Sequence, residues 1–185
     1  ADGLQLDPAV TRDGRHVLLD GVAIAEAAGP LHGLAIDLGT TTVALRLHDL
    51  ETGRLLATQS FENPQRFGGT DVMARIHYDG LRKDRLLQRT LLGYLARSIA
   101  AVPVDPLTIY EIVVAGNPTM RDLLFGVDVQ SLGVLPYRSL TEAALQAGRT
   151  TTTSLATTAK KLRLPVHPRS RVCSLPLVGS HVGAD

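Results

Sequence analysis

The stretch Leu34-Ala35-Ile36-Asp37-Leu38-Gly39-Thr40-Thr41-Thr42-Val43-Ala44-Leu45-Arg46-Leu47 decides how the rest of the chain is read. A short apolar run delivers an aspartate, a glycine and three hydroxyls to a bend. A second run then alternates Val43, Leu45 and Leu47 with small or polar neighbours. Such patterns on both sides of a polar break predict two strands joined by a tight hairpin. Gly39 stands where a Cβ would obstruct sharply bent backbone or the close approach of a ligand. Without it, the N–H groups of Gly39, Thr40, Thr41 and Thr42 can converge on one anion, and the threonine hydroxyls can add donors. Asp37, at the end of the first strand, suits a Mg²⁺ held through its waters, so that carboxylate and phosphate share one cation. The competing reading of the same residues is an ordinary polar turn. A P-loop is excluded because no Gly-Lys-Ser/Thr follows, and a dinucleotide fingerprint because Gly-x-Gly is absent and the bend leads into a strand.

At 185 residues the chain has room for one domain with a proper core, or for one and a small appendage. Hydrophobic residues at 44% and charged residues at 20% place it among globular, soluble proteins. A net charge of +1 gives no electrostatic case for nucleic acid or an anionic membrane. Cys173 is the single cysteine, so there is no disulfide framework, which suits a reducing cytoplasm, and no four-cysteine iron–sulfur cluster inside this chain. No apolar run approaches the ~20 residues that span a bilayer, and the first residues lack the pattern of a signal peptide. The histidines are dispersed, without the spacing of metal ligands, and read as surface or packing residues.

Outward from the hairpin, Ala1 to Pro30 reads as an approach segment with one short strand at Val17-Leu18-Leu19, closed by Gly29-Pro30. On the other side Glu51-Thr52-Gly53 turns the chain, and Arg54 to Phe61 returns as a third strand of an antiparallel meander. Thr70 or Asp71 can cap a helix with Val72, Met73 and Ile76 on its apolar side, interrupted at Gly80. Between Arg82 and Ala101, Leu87, Leu91, Leu95 and Ile99 recur every fourth residue, the stripe of a helix lying across the sheet. The β-branched run Ile109 to Ala115 predicts a strand covered on both faces. Asn117 can cap the next helix, with Pro118 in its first turn and Gly126 at its end. From Val127 to Pro168 the pattern is weak: Leu132 to Pro136 reads as extended, Thr141 to Ala147 as a helical turn or two, and Thr150 to Ser154 as a mobile surface loop. Arg171 to Val178 reads as a last strand despite Pro176, with a helix due after Asp185.

The order β-β-β-α-β-α-β resembles the α/β, ribonuclease H-like half-domain of the acetate and sugar kinase, heat-shock ATPase and actin superfamily. There, Asp-x-Gly-Thr-Thr between the first two strands is the first phosphate motif, which Asp37-Leu38-Gly39-Thr40-Thr41 matches. A narrower resemblance runs from Gly33 to Asp185. Gly-Leu-Ala-Ile-Asp-Leu-Gly-Thr-Thr-Thr-Val-Ala from Gly33, Asn63-Pro64-Gln65-Arg66, Gly69-Thr70-Asp71-Val72-Met73-Ala74-Arg75-Ile76, Gly116-Asn117-Pro118-Thr119-Met120 and Gly183-Ala184-Asp185 are similar to the ATPase domain of reductive activators of corrinoid proteins.

That resemblance implies a longer protein in which a ferredoxin-like [2Fe-2S] domain comes first. ATP hydrolysis would couple electron transfer to cobalt(II) of a partner corrinoid protein, with ATP and Mg²⁺ as cofactors and a homodimer among the possible assemblies. Residues 1–30 would end the preceding middle domain or linker. Residues 31–185 would be the first lobe of the ATPase domain, nearly inactive without the second. The family's second phosphate motif and adenine-binding segment are not in this sequence. The resemblance makes Asp185 the candidate to orient the attacking water, its plainer role being a helix cap. Asn117 can reach the cleft, although capping alone accounts for it. Asp71 and Arg75 have the spacing of a helical ion pair, and Arg66 is a loop arginine exposed by default. A small-molecule kinase of the same superfamily and a non-catalytic, nucleotide-switched assembly module are the alternatives.

Overall fold

The computed structural model describes residues 8–27 and 29–179. The chain enters through a three-stranded antiparallel sheet of β1 (Val10–Asp13), β2 (His16–Leu19) and β3 (Val22–Glu26). The sequence predicts only the middle strand, because each strand buries a single residue, Val10, Val17 or Ile24, and one buried residue makes no period. These three join Leu31 and Tyr110 in a small apolar cluster of their own. Ion pairs Arg12–Glu51 (2.9 Å) and Asp20–Arg171 (2.5 Å) also tie the small sheet to the main body. Partly exposed pairs of this kind contribute about 0–1 kcal/mol each, so the apolar cluster sets the joint.

The main sheet begins with β4 (His32–Leu38), β5 (Thr42–Asp49) and β6 (Leu55–Glu62), followed by helices α1 (Val72–Gly80) and α2 (Leu86–Ala100). Then come β7 (Ile109–Gly116), α3 (Pro118–Phe125), α4 (Leu140–Gln146), β8 (Ala156–Thr158), α5 (Ala159–Leu162) and β9 (Arg171–Ser174). The strand order is β6-β5-β4-β7-β9-β8. The first three strands form the expected meander, with Ile36 opposite Leu45 and Val43 opposite Phe61. β7 runs parallel to β4 and β9 parallel to β7, as helical crossovers require. This is the ribonuclease H-like half-domain, with β8 added antiparallel at one edge.

The α2 stripe is the centre of the core: Leu87, Leu91, Leu95 and Ile99 are fully buried. They pack on Leu34, Ile36, Leu38, Val43, Leu45, Leu47, Ile112 and Val114, all from one sheet face. The opposite face corrects an expectation. β7 is covered on one side only: Glu111, Val113 and Ala115 are half-buried, beside exposed Ala35, Asp37 and Arg46. The buried apolar residues of α1, α2, α3 and α5 all join the first face. The β-branched run in β7 therefore reflects strand propensity more than two-sided burial.

Residues 127–168 are more ordered than their pattern suggests. Leu132 to Pro136 is not extended: a 3-10 turn at Gln130–Leu132 leads into a tight bend closed by the Tyr137 N–H on the Val134 carbonyl at 2.6 Å. α4 lies where the sequence places a helical turn. The threonine run is pinned and is not a mobile loop at Thr153, which is buried. The Thr153 carbonyl accepts from Arg121 Nη1 at 2.9 Å, and its hydroxyl accepts from the Leu177 N–H at 2.7 Å. Behind it, Arg121 and Asp122 on α3 form a fully buried ion pair at 2.6 Å, and Ser139 Oγ donates to Asp122 Oδ2 at 2.7 Å. Burial pushes the Asp122 carboxyl up from its ordinary range, opposed by Arg121 and Ser139.

Candidate functional site

The hairpin between β4 and β5 closes on itself: the Gly39 N–H donates to the Thr42 carbonyl at 3.0 Å. A Cβ on Gly39 would lie 2.6 Å from that same oxygen, so only glycine fits the turn. The Gly39 N–H is thereby engaged inside the hairpin, which corrects the expectation that four successive amides face an anion. The next three carbonyls are held from one side. Asn63 Nδ2 donates to the Gly39 carbonyl at 2.9 Å, Arg75 Nη2 to the Thr40 carbonyl at 2.6 Å, and the Asn63 N–H to the Thr41 carbonyl at 2.7 Å. In a trans peptide the C=O and the following N–H point in opposite directions. Carbonyls held at 39 and 40 therefore turn the Thr40 and Thr41 amides outward, whereas the Thr41 carbonyl extends the ladder to β6. The Thr40 and Thr41 amides meet no acceptor among the described residues. Outward, unpaired amides on a cradle without a Cβ are what an oxyanion needs.

Each support comes from a separate element. Asn63 is buried where β6 gives way to a 3-10 turn over Pro64–Gly68, and its side-chain oxygen also caps that turn through the Gln65 N–H at 2.9 Å. Asn117 caps α3 and also touches the hairpin. Its oxygen accepts from the Met120 N–H at 3.0 Å as the cap of α3, while Nδ2 donates to Thr40 Oγ1 at 3.0 Å. The Thr40 hydroxyl proton is thus left to donate elsewhere.

Arg75 overturns its expected pairing. Asp71 caps α1 by accepting from the Ala74 N–H at 2.9 Å, and Arg75 turns the other way, beneath the hairpin, at 1% exposure. Burial lowers its guanidinium from the ordinary value, with the Asp71 charge opposing. A basic side chain so close to a helix N-terminus opposes the helix dipole. That was the available sign that tertiary contacts hold it there, and sequence reading missed both Arg75 and Asn63 as supports of the hairpin. Arg66 is exposed as expected and paired with Glu62.

Asp37, the penultimate residue of β4, lies exposed on the open sheet face. It borders a groove of about 340 Å³ with Ala35, Ala44, Arg46, Val113, Ala115 and Leu175. Thr40 and Thr41 line a different hollow of about 210 Å³ with Glu62, Asn63, Arg66, Thr70 and Arg75. Asn117 borders a third, between α1 and α3. The hairpin therefore stands as a ridge between hollows, and the described residues do not gather Asp37, the threonines and Asn117 into one pocket. Asp185 lies outside the described residues. Among them no group of three or more His, Cys, Asp or Glu can hold a metal. One carboxylate beside free amides fits a Mg²⁺ that keeps its waters and takes its other ligands from phosphate. It does not fit an ion held by protein alone.

Comparison with known proteins places these features. A family model described as the RACo middle region matches residues 32–185. The chain belongs to this family. The corrinoid activation enzyme RamQ of Eubacterium limosum is 30% identical to it over 174 residues, which is 91% of this chain and 28% of RamQ. A solved structure, the reductive activator for corrinoid, iron-sulfur protein, matches with a TM-score of 0.76 and 29% identity, covering 89% of this chain and 26% of that one. The chain spans about a quarter of the length of these relatives. The likeness to reductive activators read from five short segments is borne out, and so is the fold. In this RACo middle region an iron–sulfur cluster has no fit: Cys173 is the single cysteine, half-buried with its thiol pushed up by burial, and a cluster takes four ligands. No helix among the described residues is long and apolar enough to cross a membrane.

Proposed function

We propose that this chain supplies the phosphate-gripping lobe of an ATP-dependent reductive activator of corrinoid proteins. In that reading ATP hydrolysis, in the cytoplasm, is coupled to electron transfer from a [2Fe-2S] cluster elsewhere in the protein to cobalt(II) of a partner corrinoid protein. Family membership and the names of the two relatives support the corrinoid part. The observation that carries the nucleotide part is the hairpin, whose inward carbonyls leave the Thr40 and Thr41 amides facing out. These amides donate to the β- and γ-phosphate oxygens, and the exposed Thr41 and Thr42 hydroxyls add further donors. Asp37 accepts hydrogen bonds from the waters of Mg²⁺, which when bound offsets phosphate charge. Asp185 orients the attacking water. Residues 1–30 close the preceding unit and 31–185 form the first lobe, with the remaining nucleotide contacts in a second lobe. No observation favours the small-molecule kinase or the assembly module over this reading.

Asp37→Ala in the full-length protein tests it. Phosphate release from Mg·ATP and activation of the corrinoid protein are expected to disappear while the thermal melt stays that of the wild type, since Asp37 is exposed. Unchanged turnover refutes the metal role.

A further inference from the structure

We propose that Arg75 is the positioning residue of this hairpin, holding and polarising the Thr40–Thr41 peptide from behind so that its N–H receives phosphate. The inference rests on the nucleotide reading above and extends it to a residue outside the Asp-x-Gly-Thr-Thr motif. Arg75 donates Nη2 to the Thr40 carbonyl at 2.6 Å, Nε to the Gly69 carbonyl at 3.0 Å, and Nη1 to Gln65 Oε1 at 3.4 Å and Met120 Sδ at 3.1 Å. All four acceptors are neutral. Among the described residues no carboxylate comes within ion-pair distance of this guanidinium, although it is 1% exposed. A buried charge whose nearby opposite charge, Asp71, makes no direct contact with it is only partly compensated, and here its shortest hydrogen bond goes to the hairpin.

The Thr40 C=O and the Thr41 N–H belong to one peptide. A cation on the oxygen fixes the plane of that peptide with the N–H outward and draws electron density from the nitrogen, making its proton a better donor. An oxyanion on the outer face then completes a chain of guanidinium, peptide and anion, and adds negative charge to that of Asp71, which makes no direct contact with the guanidinium. The approach is built for this contact: Gly69, at φ +133°, presents its carbonyl to Nε, and a Cβ there would lie 2.3 Å from that of Ala74. If Arg75 only filled space beneath α1, ligand charge would be irrelevant to its replacement.

The test uses the full-length protein with Arg75→Gln and Arg75→Lys, each checked by thermal melt, and titrates Mg·ATP and adenosine by calorimetry. Gln can still donate to the Thr40 carbonyl but carries no charge. Arg75→Gln is expected to weaken Mg·ATP by about tenfold or more while adenosine is little changed, and Lys to recover part of the loss. Equal Mg·ATP affinity in Arg75→Gln and wild type, or parallel loss of both ligands, overturns the proposal and leaves the nucleotide reading standing. A wild type that binds no Mg·ATP overturns that reading itself. If Arg75→Gln does not fold, wild-type protein labelled with ¹⁵N at arginine decides: the Arg75 Nε–H resonance is expected to move on adding Mg·ATP, and a static signal overturns the proposal.

Discussion

His32, at the start of β4, is 4% exposed, and its Nδ1 lies 2.6 Å from Thr108 Oγ1. The Thr108 proton goes to the Asp105 carbonyl, so the imidazole is the donor and carries its proton on Nδ1. Burial lowers the pKa of His32, with Asp49 and Glu51 opposing. A histidine whose pKa is lower folded than unfolded binds its proton more readily in the unfolded chain. Its contribution to stability is therefore complete above the ordinary value of about 6.5 and is lost as pH falls from there through the folded value. Melting temperature is expected to drop on acidification from pH 8 to pH 5, and His32→Asn to flatten that slope. An identical slope in the variant assigns the effect elsewhere, first to His167, which burial shifts the same way. The hairpin was legible at this same scale, since Asp37, Gly39 and the threonines announce a bend. What escaped was the direction of each peptide. Carbonyls bound by Asn63 and Arg75, far away in sequence, decide which amides face out.

Among the elements, α3 carries an unusual burden, because its buried Arg121–Asp122 pair also grips the segment from Ser139 to Thr153. Arg121→Met leaves the Asp122 carboxylate buried without its partner, a loss of about 3–5 kcal/mol. Urea denaturation is expected to show it, and limited proteolysis to cut near α4 before the core opens. A wild-type cleavage pattern would mean the segment is held by other contacts. The elements with strong local signals came through: the four-residue stripe of α2, the Asp71 and Asn117 caps, the apolar run of β4 and the alternation of β5. β8 and α5 did not, at three and four residues long. Elements so short span little more than one period and leave no repeating pattern, and long-range pairing with β9 makes the strand β8.

At the level of the molecule, helices cover one face of the sheet, and the other stays open beside Asp37 and the hairpin. The order of elements in the main sheet, apart from β8 and α5, followed from the sequence because meander and crossover each leave a local trace, and the fold followed from the resemblance that this order carries. The placing of Asp37 and the threonines along separate hollows did not, since it depends on which side of a ridge each side chain lies. In the proposed reading such a half-site would hold phosphate without enclosing it, and positioning of a nucleotide needs convergent groups from a second lobe. The most direct test of the phosphate hairpin is a ¹⁵N–¹H spectrum of this chain titrated with Mg·ATP. The account predicts weak binding, of millimolar order, in which the Thr40 and Thr41 amides shift first and furthest. Submicromolar binding, or shifts elsewhere while Thr40 and Thr41 stay still, contradicts it.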